Sequence, residues 1–242
     1  KKVKGAVNAE HFLVNRYAIS YEFSAGLMIQ KSKGGGAAMP SIFLCAPVEF
    51  PEKDNLSELP GTESEVKTIS QLFPGNQSKI ITRTEANEAA IKSGDLSRYS
   101  YLHFATHGVV DETDPELSRI FLNADTHEDG NLYAGEIYNL QLNAELAVLS
   151  ACQTGLGKFS KGEGVIGLSR ALVYAGAKNL MVSFWSVADE STAQLMTDFY
   201  SLLLKDPKAN FRKALQGAKT KMIKDGKYVD PYFWAPFVMI GN

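Results

Sequence analysis

The sequence predicts an α/β domain built on a largely parallel sheet, and two observations carry that prediction. Short apolar runs alternate along the chain with stretches of helical periodicity, the order expected when strands are joined by helical crossovers. The apolar runs are also unbroken, as they are in strands covered on both faces. The 242 residues suffice for one large core. No repeat or change of composition divides them, so a single domain over 1–242 is expected.

The elements follow in order. Tyr17 to Phe23 alternates and predicts a strand; Lys31 to Ala38, with three successive glycines, predicts a surface connection. Ser41 to Ala46 is the first central strand. Thr62-Glu63-Ser64-Glu65 has the form of a capping box, opening a helix whose Val66, Ile69, Leu72 and Phe73 share a face. Lys79 to Thr82 predicts a strand, and Glu85 to Leu96 a helix with Thr84 as its cap. Tyr101 to Thr106 is the next central strand. Arg119 to Asn123 and Leu132-Tyr133 flank a turn at Glu128-Asp129-Gly130-Asn131 and predict a hairpin excursion. Glu145 to Ser150 is again a strand. Gly164 to Ala175 is apolar nearly all round, as a helix buried on several sides is. Asn179 to Phe184 predicts a strand, and a helix striped with Leu195, Phe199, Leu202 and Leu203 follows. A last helix carries Phe211, Leu215, Ala218 and Met222, and Phe237 to Ile240 closes the chain as a strand.

Bulk properties narrow the function. A net charge of −2 gives no electrostatic reason for contact with nucleic acid or an anionic membrane. No apolar run is long enough to span a bilayer, and the N-terminus lacks a signal-peptide pattern. Cys45 and Cys152 are the only cysteines, which fits free thiols in a reducing cytoplasm. The chain opens on Lys1-Lys2-Val3-Lys4 without an initiator Met and reads as a piece of a longer protein.

Two strands end in reactive side chains. Tyr101 to Gly108 brings His107 to the end of one, and Leu146 to Gly155 brings Cys152 to the end of another. Ligands of open parallel sheets bind outside the carboxyl ends of the strands. A thiol with a histidine nearby is the minimal apparatus for covalent acyl transfer. The bland alternative makes Cys152 a small buried hydrophobe; its neighbours Ser150, Gln153, Thr154 and Gly155 are polar and turn-forming, which argues against that. His103, between Leu102 and Phe104, is expected to be packed and hydrogen-bonded, leaving His107 as the base. Gly108, taken to begin a loop, offers an N–H for an oxyanion beside that of Cys152. No metal is expected, because the helical zinc pattern with its glutamate base is missing. His11 and His127 read as surface loop, and Cys45 as core. Asp189, Glu190, Gln153 and Glu163 form the candidate substrate pocket. Asp189 also stands where an N-cap would, the simpler reading, and Glu163 also suits the first turn of a helix.

At these residues the chain resembles the CHAT domain, a caspase-like module often attached to tetratricopeptide repeats in bacterial proteins. His103-Phe104-Ala105-Thr106-His107-Gly108 looks like its histidine motif, and Leu149-Ser150-Ala151-Cys152-Gln153-Thr154-Gly155 like its cysteine motif. Gly162 to Leu168, Tyr174-Ala175-Gly176-Ala177 and Trp185-Ser186-Val187-Ala188-Asp189 fit in the same order. So do Phe12 to Ser24, Leu59-Pro60-Gly61 with Glu65, and Tyr232 to Phe237.

The resemblance implies the caspase-hemoglobinase fold, a three-layer sandwich with a central six-stranded, mostly parallel sheet and helices on both faces. It implies His107 as base, Cys152 as nucleophile, Gly108 and Cys152 as oxyanion donors, and no cofactor. No third member of a triad is required. Related separases hold a substrate arginine with an acidic residue four positions after the one matching Asp189; here that position is Ala193. The implied activity is a cysteine endopeptidase acting on a protein or peptide. A regulatory partner or an absent N-terminal repeat region would switch it on. The rival is a catalytically silent interaction domain of the same fold, and a thiol acyltransferase would use the same dyad.

Overall fold

The computed structural model describes residues 11–23, 40–51, 54–111, 113–150, 164–185, 187–206 and 210–241. Nine strands are present among them: β1 (Ile42–Ala46), β2 (Ser78–Thr82), β3 (Tyr101–Phe104), β4 (Gly108–Val109), β5 (Arg119–Phe121), β6 (Asn131–Tyr133), β7 (Leu146–Leu149), β8 (Leu180–Ser183) and β9 (Phe237–Ile240). The helices are α1 (Pro60–Ser70), α2 (Glu88–Ser93), α3 (Ala134–Ile137), α4 (Gly164–Ala175), α5 (Asp189–Lys205) and α6 (Phe211–Asp225).

Six strands form one sheet in the order β2-β1-β3-β7-β8-β9, and β4, β5 and β6 form a small second sheet. All neighbours in the large sheet are parallel except β8 and β9. Strand alternation sorts the core into two layers. Tyr101, Leu146, Val148 and Met181 pack with α1, α5 and α6 on one face. Leu102, Phe104, Ala147 and Leu149 pack with α2, α3 and α4 on the other. The sheet is therefore sandwiched between helices, the three-layer architecture that the family resemblance implies.

Several local expectations are corrected. The Tyr17 to Phe23 strand is reduced, over residues 17–23, to a single parallel bridge from Tyr21 to Ile240. The capping box at Thr62 does not form. Helix α1 starts two residues earlier at Pro60, whose missing N–H costs nothing in a first turn, and the Thr62 hydroxyl donates to the Leu59 carbonyl at 2.7 Å. Helix α2 begins at Glu88 rather than Glu85, because Asn87 caps it by accepting from the Ala90 N–H. Thr84 lies in a preceding 3₁₀ turn. The hairpin of β5 and β6 forms, and it gains β4 as a third, antiparallel strand. Cys45 is core with no exposed surface, and burial raises its thiol far above the ordinary range.

Candidate active site

The large sheet reverses its strand order at β1 and β3, since β2 lies beyond β1 and β7 beyond β3. The crevice at the carboxyl ends of these two strands is the topological switch point where ligands of open α/β sheets bind. His107 follows β3 at this end of the sheet, and residues 47–51 and 54–59 follow β1. The main chain is held tightly here: the Ala105 N–H donates to the Cys45 carbonyl at 2.8 Å, and the Ser150 N–H to the Phe104 carbonyl at 3.0 Å.

His107 is only 1% exposed. Its Nε2 lies 2.7 Å from the Ser57 carbonyl. A carbonyl only accepts, so Nε2 carries the proton and the neutral ring presents its lone pair at Nδ1. That Nδ1 is buried and has no hydrogen-bond partner among the described residues. The Phe50 ring covers the imidazole with centroids 4.8 Å apart. Burial lowers the His107 pKa below the ordinary imidazole value, while the Ser57 carbonyl and the charge of Asp189 pull the other way. The product is a neutral, oriented, desolvated imidazole whose basic nitrogen has no partner among the described residues. Ser57 was invisible to side-chain reasoning, because it contributes its backbone.

The loop that supplies Ser57 and Phe50 carries backbone strain: Val48 has φ 68° and Asn55 φ 50°. Left-handed backbone is a genuine outlier for a β-branched residue such as Val48. The loop is closed by the Leu59 N–H donating to the Val48 carbonyl at 2.8 Å.

Gly108 is a strand residue rather than the start of a loop. It pairs with Ile120, and the Phe121 N–H donates to the His107 carbonyl at 2.9 Å. That pattern makes Gly108 and Ile120 a non-hydrogen-bonded pair, so the Gly108 N–H points away from β5. The Thr106 hydroxyl donates to the Phe121 carbonyl, fixing the same turn from its other side.

Asp189 is the first residue of α5, after Ala188, and no side-chain cap forms there. The capping reading is thus overturned. Its carboxylate instead accepts the Gly61 N–H and lies in the field of His107; burial raises its pKa, and both of these contacts lower it. A Cβ built on Gly61 meets the Asp189 Cβ at 2.6 Å, so the approach of α1 to α5 requires glycine at this point. Glu190 points elsewhere: it is 76% exposed and pairs with Lys227 at 2.5 Å. Cys152, Gln153 and Glu163 lie outside the described residues.

His103 is fully buried, as expected. Its Nε2 meets Glu65 Oε1 at 2.8 Å and its Nδ1 the Tyr200 hydroxyl at 3.3 Å. It ties β3 to α1 and α5, and Glu65 serves this network instead of a helix cap. Among the described residues one acidic cluster, Glu88, Glu128 and Glu136, has a metal-like spacing. Its centre is taken by the Lys92 ammonium, 2.7, 2.9 and 2.6 Å from the three carboxylates.

The family model of the CHAT domain matches residues 3–242. The chain belongs to the CHAT domain family. The human tetratricopeptide repeat protein 28 is 36% identical over 112 residues, 46% of this CHAT domain and 4% of that protein. The mouse protein of the same name is 33% identical over 112 residues, with the same coverage. The chain thus corresponds to a small part of these relatives.

Among solved structures, the Arg-specific cysteine proteinase gingipain R superposes with a TM-score of 0.56 at 12% identity. The match covers 90% of this chain and 50% of that one. Separase in its complex with securin, from Saccharomyces cerevisiae, gives 0.55 at 14% identity, covering 89% and 13%. At such identities the likeness establishes the fold, the caspase-like one named above. No helix among the described residues is long and apolar enough to cross a membrane.

Proposed function

We propose that this CHAT domain is a cysteine endopeptidase that works through His107 and Cys152. The observation that carries the reading is His107 itself: buried at the switch point, its Nε2–H committed to the Ser57 carbonyl, its Nδ1 without a partner among the described residues. The count along the two motifs supports Cys152 as its partner. Phe104 and Leu149 are paired across β3 and β7; His107 stands three residues after the first and Cys152 three after the second.

In the proposed reaction, His107 Nδ1 takes the Cys152 proton and the thiolate attacks the scissile carbonyl. The tetrahedral oxyanion accepts the N–H groups of Gly108 and Cys152. Collapse breaks the C–N bond while His107 returns its proton to the leaving amine. Water, deprotonated by His107, then hydrolyses the thioester and restores the thiol. The Ser57 carbonyl fixes the tautomer in every step and stabilises the imidazolium when it forms. No metal or other cofactor takes part.

Asp189, Gln153 and Glu163 are proposed to line the substrate pocket. Asp189 has the best claim because of its proximity to His107, whereas the solvent-facing pair with Lys227 weakens the claim of Glu190. The substrate is a protein or peptide. A regulatory protein, or tetratricopeptide repeats in a longer chain, would gate access, a reading supported by the names of the two curated relatives. Those names equally favour a second reading, a silent CHAT-fold interaction domain. A cytoplasmic setting fits the two sparse cysteines.

The test is cleavage of a diverse peptide library by the wild-type protein beside Cys152→Ala and His107→Ala. Turnover that vanishes in both variants supports the dyad. Turnover surviving in Cys152→Ala would refute it. A folded wild type that neither cleaves nor is trapped by a peptide electrophile, alone or with repeat-containing partners, would favour the interaction domain.

A further inference from the structure

We propose that this CHAT domain carries a second site, which binds a small apolar carboxylate in the cavity between residues 12–21, α6 and β9. The cavity shares no residue with the surroundings of His107. Its volume is about 310 Å³, near the lower end of small-molecule pockets, which run from roughly 300 to 1,000 Å³.

The walls are apolar. Phe12, Leu215, Trp234 and Phe237 line it, with Trp234 and Phe237 almost wholly buried and Phe12 edge-on to Trp234 at 5.2 Å. Two cations also line it, Lys219 and Arg212, and no Asp or Glu is among the lining residues. The Lys219 ammonium donates to the Phe237 carbonyl at 2.6 Å and lies 5.9 Å from the centre of the Trp234 ring. An ammonium has three protons to donate, and the Phe237 carbonyl takes one. Burial holds the Lys219 amine down to about 8, and no carboxylate among the described residues opposes that effect. A cation in an apolar cleft without a counter-charge is costly; none is present among the described lining residues, and a bound carboxylate removes that cost.

The rest of the ligand follows from the rim. Leu13, Tyr17 and Ile19 line the same cavity and are 64%, 59% and 51% exposed, an exposed apolar edge. An apolar tail covers it. The segment is held by the Gln216 side-chain amide donating to the Val14 carbonyl at 2.8 Å and by the bridge from Tyr21 to Ile240. A phosphate or a sugar would leave this edge bare, and an amine would face two like charges. The ligand class is therefore a monocarboxylate with a hydrocarbon body.

The experiment titrates the protein with decanoate, decanol and decyltrimethylammonium, reading the indole resonance of Trp234 by NMR. Decanoate is expected to bind saturably at one site, about tenfold or more tighter than decanol, with no shift from the ammonium surfactant. Lys219→Met keeps the apolar volume and should erase the preference of decanoate over decanol; its melting curve verifies that it is folded. Equal binding of decanol and decanoate to the wild type would overturn the proposal. So would no binding of decanoate, or an undiminished preference in folded Lys219→Met. None of these readouts depends on proteolysis, so the outcome is independent of the dyad.

Discussion

Replacing Glu65 with Met should destabilise the protein severely, and the reason lies in the network beneath the candidate site. The His103 and Glu65 side chains are 0% and 1% exposed and 2.8 Å apart. Neither can recover its lost hydration if the other is removed. Truncating one member of such a buried pair costs about 3–5 kcal/mol, and a urea slope of about 3 kcal/mol/M turns this into a midpoint loss of roughly 1–1.7 M. The same pair replaced as a unit by apolar groups should cost far less, because no polar atom is then stranded.

The decisive series is Glu65→Met, His103→Leu, and both together with Tyr200→Phe. The third change matters because the Tyr200 hydroxyl would otherwise lose its partner at His103 Nδ1. Urea unfolding followed by circular dichroism gives the midpoints. The combined variant should recover most of the loss seen in either single variant. Losses that simply add would refute the claim that the two groups exist for each other.

Two further outcomes follow from charge. Because burial lowers the His107 pKa, the unfolded chain binds more protons than the folded one between that lowered value and about 6.5. Stability therefore rises with pH through this window and is lost as pH falls through it; His107→Phe should flatten that part of the stability–pH curve. Lys92→Met removes the ammonium from among three carboxylates, of which Glu88 is 2% exposed. It should cost about 2 kcal/mol after discounting for the partial exposure of the others, measured as a lowered urea midpoint.

The strands of the main sheet were readable because their apolar runs are continuous, and β1, β3, β7, β8 and β9 lie within the predicted stretches. Helix α4 has the predicted limits, since an all-round apolar pattern ends abruptly at both sides. His103 was separable from His107 by its apolar neighbours. What failed was local pattern matching against distant partners. The Thr62 and Glu65 spacing suits a capping box, yet Glu65 is claimed by a histidine from the adjacent β3. Asp189 has the residue type of a cap, yet its carboxylate accepts the Gly61 N–H and lies in the field of His107. Gly108 in β4 depends on a partner, β5, that lies ten residues downstream, and the Ser57 carbonyl has no side-chain signature at all. The polar contacts that orient His107 are long-range in sequence, so they become visible only when the sheet is assembled.

The bridge from Tyr21 to Ile240 has a consequence for how the chain matures. The Tyr21 N–H donates to the Met239 carbonyl at 2.8 Å, and the Gly241 N–H to the Tyr21 carbonyl at 2.8 Å. During synthesis the parallel strands β1, β2, β3, β7 and β8 can pair well before β9 leaves the ribosome. The Tyr21 main chain cannot make these two bonds until β9 is in place, because both partners lie at the far side of the sequence from it. Closing the edge of the sheet thus comes after the parallel strands have been made, and it joins residues at opposite ends of the described chain. Until then the β8 edge is open for pairing with another strand.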